Sequence, residues 1–363
     1  MSLSFANAFA GRSVLVTGHT GFKGSWLCLW LERLGAHVTG YALDPPTEPS
    51  NFVASRVADV LAADVRADLR DRDTLAATIT AAQPELILHL AAQSVVRQGY
   101  ADPVGTFEVN VMGTVAVLET VRLLQQPCAI VVVTSDKAYE NDGSGRPLTE
   151  SDRFGGSDPY SASKGAAEIV TAAYRRSFFA PADLAHHGVA LASARAGNVV
   201  GGGDWTADGI VADMVRALGA GQPVPVRNPR AVRPWEHVLE PLAGYLTLAA
   251  ALLGPDAGAA ARGWNFGPAD TQAATVQQVV EEFLLAWGGG SWSNVGRPDD
   301  PPEAAVLRLS IEHTQHDLGW APRWGFAETI RRTSAWYRHY LADPGSARQA
   351  CLEDIEAYEA DEA

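Results

Sequence analysis

Apolar and polar positions in the first half of the chain follow a pattern that predicts strands and helices in turn. Short apolar runs typical of buried parallel strands occur at residues 14–16, 36–43, 61–65, 84–90, 129–133 and 189–195. Segments with the helical spacing of apolar positions lie between them, at residues 25–35, 74–82, 103–124 and 159–179. This repetition predicts an α/β fold with a doubly wound parallel sheet.

Beyond residue 204 the pattern becomes mostly helical. Helices are predicted at residues 205–218, 241–253, 275–287 and 327–342, and the stretches 227–237 and 298–309 are irregular and rich in proline and arginine. We interpret residues 1–190 as a dinucleotide-binding domain and residues 191–363 as a smaller, mostly helical substrate-binding domain. Segments near 191–200 and 264–268 are expected to rejoin the sheet.

Three glycines follow the first predicted strand at a spacing of three residues, at Gly18, Gly21 and Gly24. The first permits a tight turn, the second lets backbone N–H groups approach a pyrophosphate, and the third lets the next helix pack closely on the strand. The helix N-terminus that follows favours an anion. Together these features predict a Rossmann-type dinucleotide site. The other residues of the predicted turn are His19, Thr20, Phe22 and Lys23.

Two later strand ends complete the predicted cofactor site, with Asp64 and Val65 at one and Leu90, Ala91 and Ala92 at the other. The two alanines are small enough for a flat ring or a ribose to lie against the backbone. An acid about 20 residues after the glycines often binds the ribose 2′-hydroxyl, and the nearest is Asp44, past the predicted strand end. The position of this acid therefore leaves the choice between NAD and NADP open. For His19 and Lys23, contact with the adenosine ribose or phosphate and a solvated loop position are both open.

Tyr160 and Lys164 are one helical turn apart in a segment that Asp158 and Pro159 are predicted to start. They therefore share one face of the helix. An ammonium group one turn away lowers the pKa of a phenol, and the phenolate can take a proton from a sugar hydroxyl while a hydride leaves the same carbon for a nicotinamide. The alternative interpretation is an exposed helix pair without chemistry.

Composition narrows the range of partners and compartments. The formal net charge of −14 argues against a nucleic-acid or anionic-membrane partner. The three cysteines have no paired spacing, so neither a disulfide framework nor a metal site is indicated. The chain shows no signal-peptide pattern and no apolar run of transmembrane length, and a cytoplasmic protein is expected.

Several motifs together resemble the extended short-chain dehydrogenase/reductase family. They lie at residues 17–24, 90–92, 110, 160–164 and 195–198. Longer stretches are similar to the CDP-glucose 4,6-dehydratases within that family, at residues 18–26, 40–47, 134–141, 201–205, 233–242, 264–268 and 318–320. The resemblance extends over residues 11–340. It implies a lyase that uses NAD, acts on CDP-glucose and serves deoxysugar and lipopolysaccharide O-antigen biosynthesis.

The family mechanism, carried onto the matching residues, is an internal redox cycle. Tyr160 would remove the O4 proton of glucose while hydride leaves C4 for NAD, water would then leave from C5 and C6, and hydride would return to C6. Ser135 is implied to hydrogen-bond the O4 region, and Asp136 to protonate the C6 hydroxyl. Lys137 stands where relatives have a glutamate, and is either the C5 base or a cation that stabilises the enolate. For Asp136 and Lys137, a solvated ion pair is the alternative.

The resemblance and the residue chemistry also suggest substrate contacts at Gln93, Arg195, Asn198, Arg233 and Trp235. Departures from the family at Gly209, Pro302 and Ser310 fall at the nucleotide end, so the base specificity stays open. Another nucleotide-sugar 4,6-dehydratase or 4-epimerase is the second hypothesis, and a non-catalytic dinucleotide-binding protein is the third. The helices predicted at 103–124 and 159–179 resemble those that pair in family dimers, which implies a homodimer or a dimer of dimers.

Overall fold

The computed structural model describes residues 5–269, 273–297 and 306–361. Its strands are β1 Ser13–Thr17, β2 His37–Ala42, β3 Ala63–Arg66, β4 Leu86–His89, β5 Cys128–Val133, β6 Val189–Ala196, β7 Asn198–Val200, β8 Val224–Val226, β9 Val232–Arg233, β10 Trp235–His237, β11 Gly263–Phe266, β12 Ala274–Thr275 and β13 Trp292–Asn294. Seven strands form one parallel sheet in the order β3-β2-β1-β4-β5-β6-β11. The strand order reverses between β1 and β4, which confirms the predicted doubly wound α/β fold.

Helices cover both faces of this sheet and form most of the region that follows it. In chain order the helices are α1 Phe22–Arg33, α2 Asn51–Ala54, α3 Arg72–Ala82, α4 Val96–Ala101, α5 Pro103–Phe107, α6 Gly113–Leu124, α7 Pro159–Ser177, α8 Leu184–His187, α9 Ile210–Gly219, α10 Leu239–Leu253, α11 Ala257–Ala260, α12 Val276–Trp287, α13 Glu312–Leu318, α14 Phe326–Ala342 and α15 Ala347–Ala360. Val14 and Val16 pack into a core with α1, α10 and α14, whereas Leu15 packs into a second core with α3 and α6. Alternate strand residues thus fill both faces, as a buried parallel sheet requires.

Two segments after residue 190 lie in the sheet, as predicted. β6 pairs with β5 and β11 pairs with β6, both in parallel register. The short pairs β7–β10, β9–β12 and β8–β13 connect the remaining, mostly helical region. Part of the stretch predicted to be irregular, residues 298–305, lies outside the described residues. The domain boundary at residue 190 stays a prediction.

Two predicted helix starts on the sheet were wrong. α1 begins at Phe22 rather than at residue 25, and its residues 24–31 are all buried, so it is not amphipathic. It is covered on its outer side by α15, which the pattern did not predict. α3 begins at Arg72 rather than at residue 74, because the Asp71 carboxylate caps it by accepting a hydrogen bond from the backbone N–H of Thr74 at 3.1 Å.

The helix predicted at 205–218 begins only at Ile210. The carboxylate of Asp204 accepts a hydrogen bond from the backbone N–H of Thr206 at 3.0 Å, which makes a turn. Asp208 then has a φ of +64°, a left-handed conformation that a helix interior does not accept. These two features delay the helix by about one turn.

The helix predicted at 103–124 is present but contains a π-helical turn, Glu108–Met112, between α5 and α6. Asn110 lies in this turn, and its side-chain amide donates to the carbonyl of Gln93 at 2.9 Å and to the hydroxyl of Ser163 at 2.8 Å. The polar partner that a buried asparagine requires is thus present.

By length and hydropathy alone, residues 103–124 match a membrane span. The core helix of a globular protein passes the same test, so a single such helix is weak evidence for a membrane span.

Candidate active site

The carboxyl ends of the central strands open into a cavity of about 1320 Å³. It lies at the point where the strand order reverses, which is where doubly wound sheets bind ligands. Most predicted site residues line it: Gly18, Thr20, Gly21, Phe22, Lys23, Gly24, Leu90, Ala91, Ala92, Lys137, Tyr160, Lys164, Asn198, Arg233 and Trp235. Across the described residues, no group of three or more histidine, cysteine or acidic side chains is placed to hold a metal ion.

The glycine turn is packed so closely that side chains do not fit at two of its positions. A Cβ at Gly18 would lie 2.7 Å from the backbone nitrogen of Ala91, and the φ of Gly18 is +77°. A Cβ at Gly24 would lie 2.1 Å from the carbonyl oxygen of Gly18. The constraint at Gly21 is weaker, at 3.3 Å. The backbone therefore forms a narrow cradle at the N-terminus of α1, which fits a dinucleotide pyrophosphate.

His19 and Asp64 lie behind this cradle and not on the cavity wall. The buried His19 ring places Nε2 2.8 Å from Asp64 Oδ1, and Asp64 also accepts from Arg66 at 2.6 Å. Burial lowers the pKa of His19, although Asp64 opposes the shift. The hydrogen bond from Arg66 lowers the pKa of Asp64. The His19–Asp64 hydrogen bond connects the glycine turn to β3, so His19 is not a solvated loop residue. Val65, the next residue of β3, packs against the hydrophobic core.

Lys23 lines the cavity in the first turn of α1 and is half-buried there. Its Nζ lies 6.0 Å from the ring centroid of Tyr245, and Glu236 and Asp136 are the acids with the largest effect on its pKa. Burial lowers the pKa of Lys23, and these acids oppose that shift. Burial likewise raises the pKa of Glu236, whose carboxylate oxygens have no hydrogen-bond partner.

The start of α7 positions the tyrosine and the lysine. Asp158 accepts from the backbone N–H of Ser161 at 3.0 Å and caps the helix as predicted. Burial raises the pKa of Tyr160 to about 12, and a hydrogen bond with Ser135 opposes this shift. Burial lowers the pKa of Lys164 to about 8, and its ammonium group donates to the carbonyl of Val133 at 3.2 Å. That Lys164 lowers the pKa of the phenol stays a prediction.

Ser135 and Asp136 lie at the end of β5, beside Tyr160 and directly behind the cavity wall rather than on it. The Ser135 hydroxyl donates to Asp136 Oδ1 at 3.0 Å, and both side chains are buried. Asp136 is 1% exposed, and its second oxygen, Oδ2, has no hydrogen-bond partner. Lys137 Nζ lies 3.9 Å from Asp136 Oδ1, and the lysine side chain is 29% exposed. Because the acid is buried, the alternative of a solvated ion pair does not describe it.

Arg195 and Gln93 lie behind the cavity rather than on its wall. Arg195 donates to Glu168 through two nitrogens at 2.8 Å each and to the Tyr139 hydroxyl at 2.6 Å. Gln93 donates to Thr106 at 2.9 Å and accepts from the backbone of the next loop. Both side chains therefore support the residues that form the wall, and the predicted direct contact with substrate is not what this geometry favours.

Comparison with known proteins now identifies the family. The model of the NAD dependent epimerase/dehydratase family matches residues 14–265. The chain belongs to this family. A CDP-glucose 4,6-dehydratase from Salmonella typhimurium is 46% identical over 336 residues, which cover 92% of this chain and 93% of that relative.

Solved structures of other members show the same fold. A dTDP-glucose 4,6-dehydratase from Streptomyces venezuelae with NAD bound has a TM-score of 0.75 at 25% identity, over 91% of this chain and 98% of that one. A UDP-glucose 4-epimerase from Thermus thermophilus in complex with NAD has a TM-score of 0.72 at 26% identity, over 90% of this chain and 98% of that one. Dehydratases and epimerases of the family thus share this architecture.

The far end of the cavity carries the remaining predicted contacts of this family member. Asn198 Oδ1 is buried there without a hydrogen-bond partner in the structure. Arg233 and Trp235 are both buried on the wall, and Trp235 Nε1 donates to the carbonyl of Ala274 at 3.0 Å. Gly209 lines this end and precedes α9. Ser310 lies off the cavity wall, and Pro302 lies outside the described residues.

Sequence reasoning missed several residues of the site. Glu168 lies four residues after Lys164 on α7, so the spacing could have predicted that it shares a helix face with Tyr160 and Lys164. It accepts from Thr134, Ser193 and Arg195. Further cavity residues that were missed lie in loops that periodicity does not predict: Asp68, Thr206, Asp208, Arg227 and Asn228.

Proposed function

We propose that the protein converts CDP-D-glucose to CDP-4-dehydro-6-deoxy-D-glucose and water, with the hydride of C4 returning to C6. The observation that carries this proposal is the buried Ser135–Asp136 pair beside Tyr160. Tyr160 serves oxidation at C4, and a buried carboxylic acid serves the departure of water from C6. The 46% identity to the Salmonella dehydratase over nearly the whole of both chains supports the same activity.

Each group has one task in this chemistry. Tyr160 takes the O4 proton, and Ser135 orients the phenol and the O4 hydroxyl. Asp136 protonates the C6 hydroxyl as the C6–O bond breaks. Lys137, on the cavity wall, serves C5 either as the base or as the cation that stabilises the enolate. An epimerase has no step that needs the acid, so Asp136 favours dehydration over epimerisation.

The cofactor site fits NAD. Gly18 and Gly24 form the pyrophosphate cradle, and Leu90, Ala91 and Ala92 line the same wall. Asp44 and Asp68 line the cavity where β2 and β3 end. Carboxylates there accept hydrogen bonds from ribose hydroxyls and repel a 2′-phosphate, which favours NAD over NADP. When bound, NAD accepts the hydride and returns it, and its positively charged nicotinamide favours the phenolate form of tyrosine.

The nucleotide sugar fits the far end of the cavity, formed largely by residues 191–363. Arg233 provides a cation for the pyrophosphate, Trp235 provides a flat apolar surface, and Asn198 provides an unpartnered amide oxygen. This supports the substrate-binding role of that region.

The cytoplasm is the location we propose, since Cys28, Cys128 and Cys351 are buried free thiols and a reducing compartment suits them.

The test is incubation of the NAD-loaded protein with CDP-, dTDP-, UDP- and GDP-glucose, with products analysed by NMR. A 4-keto-6-deoxy product from CDP-glucose, formed faster than from the other three, supports the proposal. Preference for another base would support a different nucleotide-sugar dehydratase. A C4-epimerised product would support an epimerase. NAD binding without any turnover would support the non-catalytic hypothesis.

We propose a homodimer formed by residues 103–124 and α7, alone or within a dimer of dimers. Large apolar side chains are exposed on these helices or directly after them: Val104, Phe107, Met112, Ile169 and Phe178. Exposed apolar side chains in such numbers are typical of association surfaces.

Ile169→Glu is expected to convert the dimer to a monomer, because it places two charges in the apolar seam. Ile169 is 57% exposed in the single chain, so the substitution does not disturb the core. Leu285→Glu on α12, at a residue that is 76% exposed, is the matched control and should keep the wild-type mass. Light scattering after gel filtration measures both, and a monomeric wild-type protein would contradict the proposal.

A further inference from the structure

One wall of the cavity lies outside the seven-stranded sheet. It is formed by α9, by the loop that precedes α9, and by β8 with the two residues that follow it. The dinucleotide fits another part of the cavity, which the glycine turn and the ends of β2 and β3 line. In the proposed substrate the hexose must reach Tyr160, and Arg233 provides the cation for the diphosphate. The wall at α9 and β8 therefore remains for the nucleobase.

An acid projects into the cavity from the first turn of α9. Asp213 lines the cavity, and its side chain is 25% exposed. Asp213 Oδ1 accepts a hydrogen bond from Arg216, three residues further along the helix, at 3.1 Å. Asp213 Oδ2 lies 4.0 Å from Arg227 Nη2, beyond hydrogen-bond distance. Burial raises the pKa of Asp213, and the two arginines oppose this shift. The helix thus holds a partly desolvated carboxylate that can accept a further hydrogen bond.

A second acid on the same wall is less suited to a ligand. Asp208 lies in the loop before α9, and its side chain is 42% exposed. Its Oδ1 accepts from Arg227 Nη1 at 2.6 Å, and its backbone carbonyl accepts from Nη2 of the same arginine at 3.3 Å. Asp208 therefore holds the arginine in place beside Asp213. Asp213 is the more buried of the two acids, and a helix fixes its position.

Pyrimidine bases differ in the group that they present at position 4. Cytosine has an exocyclic amino group there, which donates a hydrogen bond, whereas uracil and thymine have a carbonyl oxygen, which accepts one. A carboxylate accepts a hydrogen bond from the cytosine amino group, and it repels the oxygen of the other two bases. An acid on the wall that remains for the base therefore both favours cytosine and disfavours uracil and thymine.

We propose that Asp213 accepts a hydrogen bond from the 4-amino group of cytosine and thereby selects CDP-glucose over UDP- and dTDP-glucose. This assignment rests on the proposed function, which identifies the substrate as a nucleotide sugar. Asp213 is a specificity-determining residue in this account and takes no part in the chemistry at Tyr160. Its replacement should change the choice of nucleotide more than the rate of the chemical steps.

Calorimetric titration of the NAD-loaded protein with CDP, UDP, dTDP and the diphosphate of pyrimidin-2-one riboside tests the assignment. The last of these lacks only the 4-amino group of cytidine. The wild-type protein is expected to bind CDP about 10–100-fold more tightly than the other three, since a hydrogen bond to a charged group is at stake. In Asp213→Asn the preference for CDP over UDP should fall to about 1, because an amide both donates and accepts. Asp213→Ala should bind CDP and the pyrimidinone equally.

Glu328→Gln on α14 is the matched control. Glu328 also lies in the first turn of a helix and pairs with an arginine three residues on, Arg331, but it is off the cavity wall. This variant should keep the wild-type preference for CDP. Equal losses for all four diphosphates in Asp213→Asn would show that Asp213 only supports α9. Loss of the preference in Asp208→Asn but not in Asp213→Asn would assign the contact to the loop. Binding needs no turnover, so absence of a dehydrated product would contradict the proposed function alone.

Discussion

Replacing Tyr160 with phenylalanine is expected to lower kcat by about 10²–10⁴-fold while NAD binding stays nearly intact. The substitution removes only the hydroxyl that takes the O4 proton, and the ring still fills the start of α7. Stopped-flow kinetics with CDP-glucose measures kcat, and calorimetric titration with NAD measures affinity. The two results together separate loss of chemistry from loss of the site.

Tyr174→Phe is the matched control for this substitution. Tyr174 lies on the same helix, α7, and its hydroxyl donates to Glu119 at 3.1 Å, on the side of the helix away from the cavity. Its removal should leave kcat unchanged. Normal turnover by Tyr160→Phe would show that the assigned base is wrong. Equal losses in both variants would point to damage to the helix instead.

Replacing Glu168 with glutamine is expected to lower the free energy of unfolding by about 3–5 kcal/mol. The substitution leaves Arg195, whose side chain is 4% exposed, as a buried cation without its counter-charge. Urea denaturation followed by tryptophan fluorescence measures the change. A loss below about 1 kcal/mol, the range of exposed ion pairs, would contradict the role given to this pair.

Glu356→Gln on α15 is the control, since the side chains of the Glu356–Arg33 ion pair are 57% and 35% exposed. This control substitution should lower the free energy of unfolding by less than about 1 kcal/mol.

The buried Glu168–Arg195 pair should also affect the pH dependence of stability. Burial alone would raise the pKa of Glu168, but Arg195, Thr134 and Ser193 hold it below the ordinary value of 4.5. Its stabilisation is therefore present above pH 4.5 and is lost as the pH falls through the lower, folded-state pKa.

Much of the cofactor half was predictable because its signals are local. Gly18 has a φ of +77°, a conformation that strongly favours glycine, so the turn can be recognised from the residue type alone. The same holds for the helix start at Asp158, whose side chain caps the segment that carries Tyr160 and Lys164. Short apolar runs identified the sheet because strands buried on both faces need no alternation.

Several of the errors arise from contacts between distant parts of the chain. Arg195 lies near the end of the buried strand β6, and only the fold shows that Glu168 neutralises it. The sequence places His19 in the glycine turn, but its side chain is buried and hydrogen-bonded to Asp64, 45 positions later. The burial of α1 on all sides depends on α15 near the other end of the chain. Such pairings leave no period or spacing in the sequence.

In the proposed reaction one hydride leaves C4 and returns to C6 within a single active site. CDP-glucose labelled with deuterium at C4 allows this hydride to be followed by mass spectrometry and NMR of the product. We expect a 4-keto-6-deoxy product that carries the deuterium on C6. Loss of the label to solvent, or its retention at C4 of an epimerised sugar, would rule out this transfer.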